Sequence, residues 1–412
     1  MLYKIKNIEG EHLKRINQIM NNETALINTH VNMIGSGNYP FKSVLSALDT
    51  PMAINPAEGF PNKRYFPGCG NLDELEIYGN SVAKKFFDVN DDYNISLQPH
   101  SGTQANHIVF NSIYKKNRKQ YILAMDGKTG GHVSHNFYPN TFFESIAYSV
   151  DNSESIDYDK IEKMCHLYKP VLIIGGASSY PQQINYIRLS KIAKKHNALL
   201  LADISHTALF IATGHHMSPF GYADFVTMTT NKTTRGARGG IVFYKKKFTK
   251  VIQQSIFPLT QGSPKYNEIL SKIVMFLELE NIGAESYANK ILNLSSILAD
   301  SLMKKGHKIY TNSSNSHLVV IDLRDTGISG LEAEKKLNKV NILANRNSIP
   351  NDKRSAFETS GIRLGTLSLA TLDITLSDFK RIVDILIDTI YNDNPIHQNE
   401  IISIMSNYSL SN

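Results

Sequence analysis

A chain of 412 residues with 42% hydrophobic and 20% charged residues has ordinary globular composition, which excludes a disordered, collagenous or coiled-coil protein and leaves room for two or three domains. Two cysteines, Cys69 and Cys165, are too few for a disulfide framework or a four-thiolate metal site, so a reducing, cytoplasmic setting is expected and no metal site is identified. The 44 basic against 37 acidic residues give a net charge of +7, but the densest basic runs, 115–119 and 245–247, fall at element ends and interleave no stacking aromatics, so neither nucleic acid nor membrane is an expected partner.

In chain order, residues 1–60 read as a helical and extended arm without the apolar core of a signal peptide. From residue 94 to 245 short apolar segments alternate with helical patterns, which predicts an α/β domain around a large parallel or mixed sheet. Strands are expected at 94–98, 121–125, 170–175, 198–202, 224–228 and 240–244, several of them near-continuously apolar as in a sheet covered on both faces, with a helix over 105–114. Residues 265–305 read as one long helical stretch. A strand at 317–323 and helices at 331–340 and 376–391 then predict a smaller α+β unit, and the tail from 394 is weakly patterned. The expected division is an arm (1–60), a large domain (61–265), a long helical connection (266–305) and a small C-terminal domain (306–412).

Four places along this frame carry chemistry. Pro99-His100-Ser101-Gly102-Thr103-Gln104 joins a strand to a helix, where free N–H groups and hydroxyls suit a phosphate or carboxylate, although a serine N-cap explains the same residues. Asp203 ends an apolar run and stands where α/β sheets bind ligands, fit either to pair with a protonated ring nitrogen or to cap the next turn; His206 follows it. Gly130-Gly131-His132 could lay an imidazole against a planar ligand, or be polar surface. Lys232, between hydroxyl-rich flanks and ahead of a basic, glycine-rich turn, is either a Schiff-base lysine or a solvated loop lysine. Their conjunction, in this order, is that of pyridoxal-phosphate enzymes.

From about Met20 to Leu376 the chain resembles the serine hydroxymethyltransferase family of the aspartate-aminotransferase-like superfamily. The resemblance rests on segments 57–69, 98–106, 130–135, 176–181, 203–206, 232–240, 257–262 and 360–366. It implies pyridoxal-phosphate fold type I, a large mixed-sheet domain plus a small C-terminal α+β domain, with pyridoxal 5'-phosphate as cofactor and tetrahydrofolate as an optional co-substrate. Lys232 would carry the cofactor in a Schiff base, Asp203 would face its pyridine nitrogen and His132 would stack on its ring. Ser101, Gly102 and Thr103 would hold the phosphate, and Ser178 and His206 would lie near the phenolic oxygen. Ser36 and Arg363 would bind the amino-acid substrate. Glu58, Tyr65 and Gly262 would reach in from the second subunit of a homodimer, with Glu58 near the β-hydroxyl.

Several positions depart from the family pattern: Gly37 stands for glutamate, Pro56 and Phe66 for tyrosines, Gln182 for arginine, Asn231 for histidine and Ser263 for glycine. Because these changes gather toward the substrate end, the sequence leans toward a specialised aldolase or transaldolase that makes or breaks the Cα–Cβ bond of a β-hydroxy-α-amino acid through a glycine quinonoid, with an amino acid and an aldehyde as partners. Three alternatives stay open: the ordinary tetrahydrofolate-dependent enzyme, favoured by residues 345–350 and Phe357; other pyridoxal-phosphate chemistry at Cα, such as racemisation, transamination or decarboxylation; and an inactive binding paralogue.

Overall fold

The computed structural model describes residues 10–137, 139–392 and 397–408, so the start of the expected arm and parts of the tail lie outside the described residues. The described chain divides into two compact units. One is formed by the chain up to Gly37 together with Ile291–Ser348 and the chain from Asp352, the other by Asn38–Lys290 with Ile349–Asn351. This division follows contacts, whereas the boundaries drawn from the sequence follow changes of pattern.

The larger unit is built on seven strands: β1 (Tyr93–Ser96), β2 (Tyr121–Met125), β3 (Glu144–Tyr148), β4 (Leu172–Gly176), β5 (Leu199–Asp203), β6 (Phe225–Thr229) and β7 (Gly240–Lys245), in the spatial order β1-β7-β6-β5-β4-β2-β3. β7 runs antiparallel to both of its neighbours and the remaining pairs are parallel. Branched and aromatic residues make β4 and β6 almost wholly buried, as a sheet covered on both faces requires. Helix α1 (Gly102–Ile113) turns Ala105, Ile108 and Val109, spaced by three and one, onto that sheet, where they share a core with Ile122, Ile174, Leu201, Phe225 and Val242. The mixed α/β fold expected from the sequence is the one observed.

The strands expected from apolar runs are present, with bounds that agree with the expected ones to within two residues. β3 has no counterpart among the expectations, because it is an edge strand whose residues Glu144–Ala147 are exposed or half-buried and present no apolar run. α1 begins at Gly102, three residues before its apolar period becomes visible. The long helical stretch is two helices, α2 (Tyr266–Asn281) and α3 (Ala284–Lys304), separated at Gly283, whose φ of 77° ends α2 in the left-handed conformation glycine adopts without strain.

The smaller unit contains the antiparallel strands β8 (Leu318–Asp322), β9 (Asn345–Asn347) and β10 (Gly361–Gly365), in the order β8-β10-β9. Helix α4 (Gly330–Lys339) starts with a capping box between Ser329 and Glu332, and α5 (Leu376–Asn392) buries Phe379, Ile382, Val383 and Leu386. Within the weakly patterned tail, Gln398–Met405 is helical. Among the described residues no helix is long and apolar enough to cross a membrane. Both cysteines are buried free thiols.

Ile174, fully buried at the middle of β4, is the most direct probe of the core. Ile174→Ala is expected to lower the unfolding free energy by about 3 kcal/mol. A denaturant midpoint equal to that of the native protein would contradict this packing.

Candidate active site

The carboxyl ends of β1, β2, β4, β5 and β6 all lead into segments that carry candidate residues: Ser101 after β1, His132 after β2, Ser178 after β4, Asp203 closing β5 with His206 beyond it, and Lys232 after β6. Parallel strands running in one direction bring these segments to one edge of the sheet, where α/β folds bind ligands.

At the end of β5 the Asp203 side chain is 8% exposed and surrounded by donors. Oδ2 accepts from His135 Nε2 at 2.9 Å and from Asn106 Nδ2 at 2.8 Å, and Oδ1 accepts from the Ser205 N–H at 3.0 Å. Burial alone would raise this carboxyl's pKa, but the hydrogen bonds and charge interaction with His135, together with those from Asn106 and Ser205, outweigh it and hold the group well below the usual carboxylate range. A second layer fixes the donors. Thr227 Oγ1 donates to Asn106 Oδ1 at 2.6 Å, which orients the amide so that its nitrogen faces Asp203 and, at 3.1 Å, Ser134 Oγ. Ser134 meets His132 Nδ1 through its N–H (3.2 Å) and Oγ (2.7 Å), so Nδ1 is an acceptor and the ring orientation of His132 is set. The expected turn histidine is therefore tied, through Ser134 and Asn106, to the expected ring-nitrogen aspartate.

At the end of β1, Ser101 caps α1, its Oγ accepting from the Gln104 N–H at 3.0 Å, so the capping reading is realised there. This cap uses the serine oxygen as acceptor and leaves its O–H for a ligand, and the Gly102 and Thr103 N–H groups lie in the first turn, outside the helical hydrogen-bond pattern. Gly240 packs directly against this turn: a Cβ at 240 would stand 2.1 Å from the Ser101 carbonyl oxygen. Ser178 Oγ lies 3.3 Å from both the Gly130 and Gly131 carbonyl oxygens, bringing the segments after β4 and β2 together. His206 is buried.

The Lys232 loop is held at both ends. The Gly236 N–H donates to the Thr230 carbonyl (2.7 Å), and the Thr230 N–H to that of Gly239 (3.2 Å). Asn38 Nδ2 donates to the Lys232 carbonyl at 2.7 Å. Arg235 lies over Phe41, 4.0 Å from the ring centroid. Asn231 accepts from Thr229 Oγ1 at 2.7 Å, so the residue replacing the family's histidine is bound to the strand end.

Glu58, Tyr65 and Gly262 form a separate group in the same unit. A Cβ at Gly262 would lie 3.3 Å from Glu58 Oε1, and Tyr65, 74% exposed, packs on Phe257 with ring centroids 5.3 Å apart. The backbone around Glu58 is fixed by Arg64, which donates to the Ala57 and Gly59 carbonyls, and by Ser263, whose Oγ accepts from the Ala57 N–H at 3.1 Å. Ser36 and Arg363 belong to the smaller unit. There Arg363, on β10, donates through Nε (3.2 Å) and Nη2 (3.1 Å) to Asn345 Oδ1 on the paired strand β9, and Ser36 follows Gly35, whose Cβ position lies 2.8 Å from Arg363 Nε.

Asn106, His135, Ser205 and Thr227 were given no role from the sequence. The signal for two of them is a polar residue in an otherwise apolar periodic run: Asn106 on the buried face of α1 and Thr227 inside β6.

The residues at the sheet edge fit pyridoxal phosphate. An ionised buried carboxylate suits a pyridinium N–H, a helix start with serine and glycine suits the phosphate monoester, and a half-buried lysine suits the aldehyde. Asp203 also yields a prediction for the cofactor-free protein. Its folded pKa is depressed, so its stabilisation is present above the unfolded value of ~3.9 and is lost as pH falls below it. Asp203→Asn should cost about 2 kcal/mol at pH 7 and distinctly less at pH 3, measured by denaturant unfolding. An equal loss at both pH values would contradict an ionised Asp203.

A family profile described as serine hydroxymethyltransferase matches residues 10–386. The chain is 38% identical to a probable serine hydroxymethyltransferase of Mesomycoplasma hyopneumoniae (strain 232), over 90% of this chain and 89% of that one. It is likewise 38% identical to the serine hydroxymethyltransferase of Prochlorococcus marinus (strain NATL1A), over 92% of each chain, and 39% identical to that of Rickettsia typhi (strain ATCC VR-144 / Wilmington), over 89% and 87%. The chain belongs to the serine hydroxymethyltransferase family, enzymes that use pyridoxal phosphate with tetrahydrofolate as co-substrate.

Proposed function

We propose that this chain catalyses the ordinary folate-dependent interconversion of serine and glycine. The specialised aldolase reading, drawn from Pro56, Phe66 and Asn231, gives way to this one, because similarity at 38–39% identity across about nine tenths of the chain runs to proteins named serine hydroxymethyltransferase. The observation that carries the site reading is the buried, ionised Asp203 at the sheet edge that also bears Ser101, His132 and Lys232.

In this reading Lys232 would hold the cofactor through its aldehyde, the first turn of α1 would hold its phosphate and His132 would serve its ring, with Ser178 and His206 serving the phenolic oxygen. Bound there, pyridoxal phosphate supplies an electron sink for the pair left at Cα when the Cα–Cβ bond breaks. Asp203 holds a proton at the ring nitrogen, which an ionised acceptor in a water-poor site does better than any neutral one. Arg363, already fixed by Asn345, grips the substrate carboxylate in the bidentate manner that guanidinium allows, beside Ser36. Glu58 holds or moves a proton at the β-oxygen.

The same reading makes the protein a homodimer in which Glu58, Tyr65 and Gly262 serve the partner's site. Its support is that Gly262 lies against Glu58 and Tyr65 against Phe257, in segments that also carry the exposed apolar residues Ile54 (75%) and Leu259 (63%).

Two measurements test the proposal. The kcat/KM for serine with tetrahydrofolate should exceed that for threonine without folate by at least about tenfold, a transition-state preference of roughly 1.4 kcal/mol or more. A threonine value equal or higher, indifferent to folate, would return the enzyme to the aldolase class. Inactive Lys232→Ala and Glu58→Gln chains, mixed and allowed to exchange, should regain activity because hybrid dimers carry one intact site. No recovery from exchanged chains would contradict shared sites.

A further inference from the structure

Lys272, on α2, is an interior cation that the reaction described above leaves without a task. The residue is 2% exposed. Its Nζ donates to the Leu97 carbonyl at 2.6 Å and the Pro99 carbonyl at 2.8 Å, the two carbonyls that flank Gln98 immediately before the Ser101 turn. The Pro99 carbonyl also accepts the Gly240 N–H at 3.0 Å, so the ammonium and the start of β7 hold the same peptide. The stem of the side chain closes the other half of the arrangement. A Cβ at Gly239 would meet Lys272 Cε at 2.5 Å and Nζ at 3.3 Å, and the Gly239 carbonyl accepts the Thr230 N–H that closes the Lys232 loop.

Burying an amine here is expensive. Burial pulls its pKa down to about 7, against the raising influence of Glu268 and Glu76, whereas a methionine would fill comparable space without desolvating a charge. What a methionine cannot do is fix two backbone carbonyls of a turn that lies outside any strand or helix ladder.

We infer that Lys272 is a positioning residue for the cofactor's phosphate monoester: through the Leu97 and Pro99 carbonyls it sets where the N–H groups of Gly102 and Thr103 and the hydroxyl of Ser101 stand, and through Gly239 it ties that cup to the Lys232 loop. The inference rests on the assignment of the phosphate to Ser101–Thr103. It separates from that assignment because it concerns only how the cup is shaped.

The test compares pyridoxal phosphate with pyridoxal, which shares the ring and aldehyde and lacks the phosphate, by absorbance titration of the full-length cofactor-free protein. Lys272→Met should weaken pyridoxal phosphate binding at least tenfold and change pyridoxal binding less than twofold. Lys272→Gln, which keeps N–H donors, should recover part of the loss, and it carries the test alone if the methionine variant does not fold, with at least a threefold fall in the ratio expected. A ratio of the two affinities equal to the native one, whether both constants hold or both fall together, overturns the inference, because a merely structural lysine would act on both ligands alike. Ser101→Ala distinguishes the layers. If it too leaves the ratio unchanged, the phosphate assignment fails and the inference with it; if it lowers the ratio while the Lys272 variants do not, only the role of Lys272 fails.

Discussion

An ionised carboxylate enclosed at the end of a sheet strand costs several kcal/mol unless donors surround it. At Asp203 they come from three separate elements: Asn106 on α1, His135 on the short helix after β2 and the Ser205 N–H just beyond β5. None of these donors is near Asp203 without the strand order β6-β5-β4-β2, which sets β5 between its neighbours and carries the segment after β2 across to it. Thr227 on β6 and Ser134 beside His135 then remove the rotational freedom of Asn106. Both oxygens of Asp203 and both polar atoms of the Asn106 amide have assigned neighbours, so the carboxylate is aimed before any ligand arrives, although the buried His135 Nδ1 has no hydrogen-bond partner among the described residues.

The same economy extends from this centre to the edges of the unit. The His100 N–H donates to Gln104 Oε1 at 2.6 Å, and Gln104 Nε2 donates to Gln261 Oε1 at 2.8 Å, beside Gly262. Gln98 donates to Glu76 at 2.9 Å and to the Gly59 carbonyl at 3.1 Å, and Arg64 and Tyr266 meet the other oxygen of Glu76. The turn that would hold the phosphate and the segments bearing Glu58 and Gly262 thus belong to one hydrogen-bonded system, with Lys272 beneath it. In a dimer with shared sites, the residues a subunit contributes to its own site and to its partner's would be braced against each other.

Much of this was legible in the sequence because strand cores announce themselves: the runs at 121–125 and 198–202 are apolar almost without interruption. The edge strand β3 was not legible, since exposed strands need no apolar run, and the break at Gly283 was hidden because helical periodicity continues on both sides of it. The candidate residues Ser101, His132, Ser178, Asp203 and Lys232 were found by their position at strand ends and by ordered motifs. Asn106, His135 and Lys272 escaped, because a polar residue on a buried helix face gains meaning only from what the fold sets opposite it. The lean toward a specialised enzyme had a related origin. Pro56, Phe66 and Asn231 were read as lost functional groups, yet Asn231 is engaged by Thr229, and Ser263, another departure, binds the Ala57 peptide next to Glu58.

The proposed chemistry depends on one covalent assignment, that the cofactor is carried by Lys232 at the edge of the sheet where Asp203 lies. Reducing the holoprotein with borohydride, digesting it and locating the pyridoxyl group by mass spectrometry tests this directly. The added mass is expected on the peptide containing Lys232 and on no other. A label on a different lysine, such as Lys290 or Lys272, or holoprotein that retains no label after reduction, would contradict it.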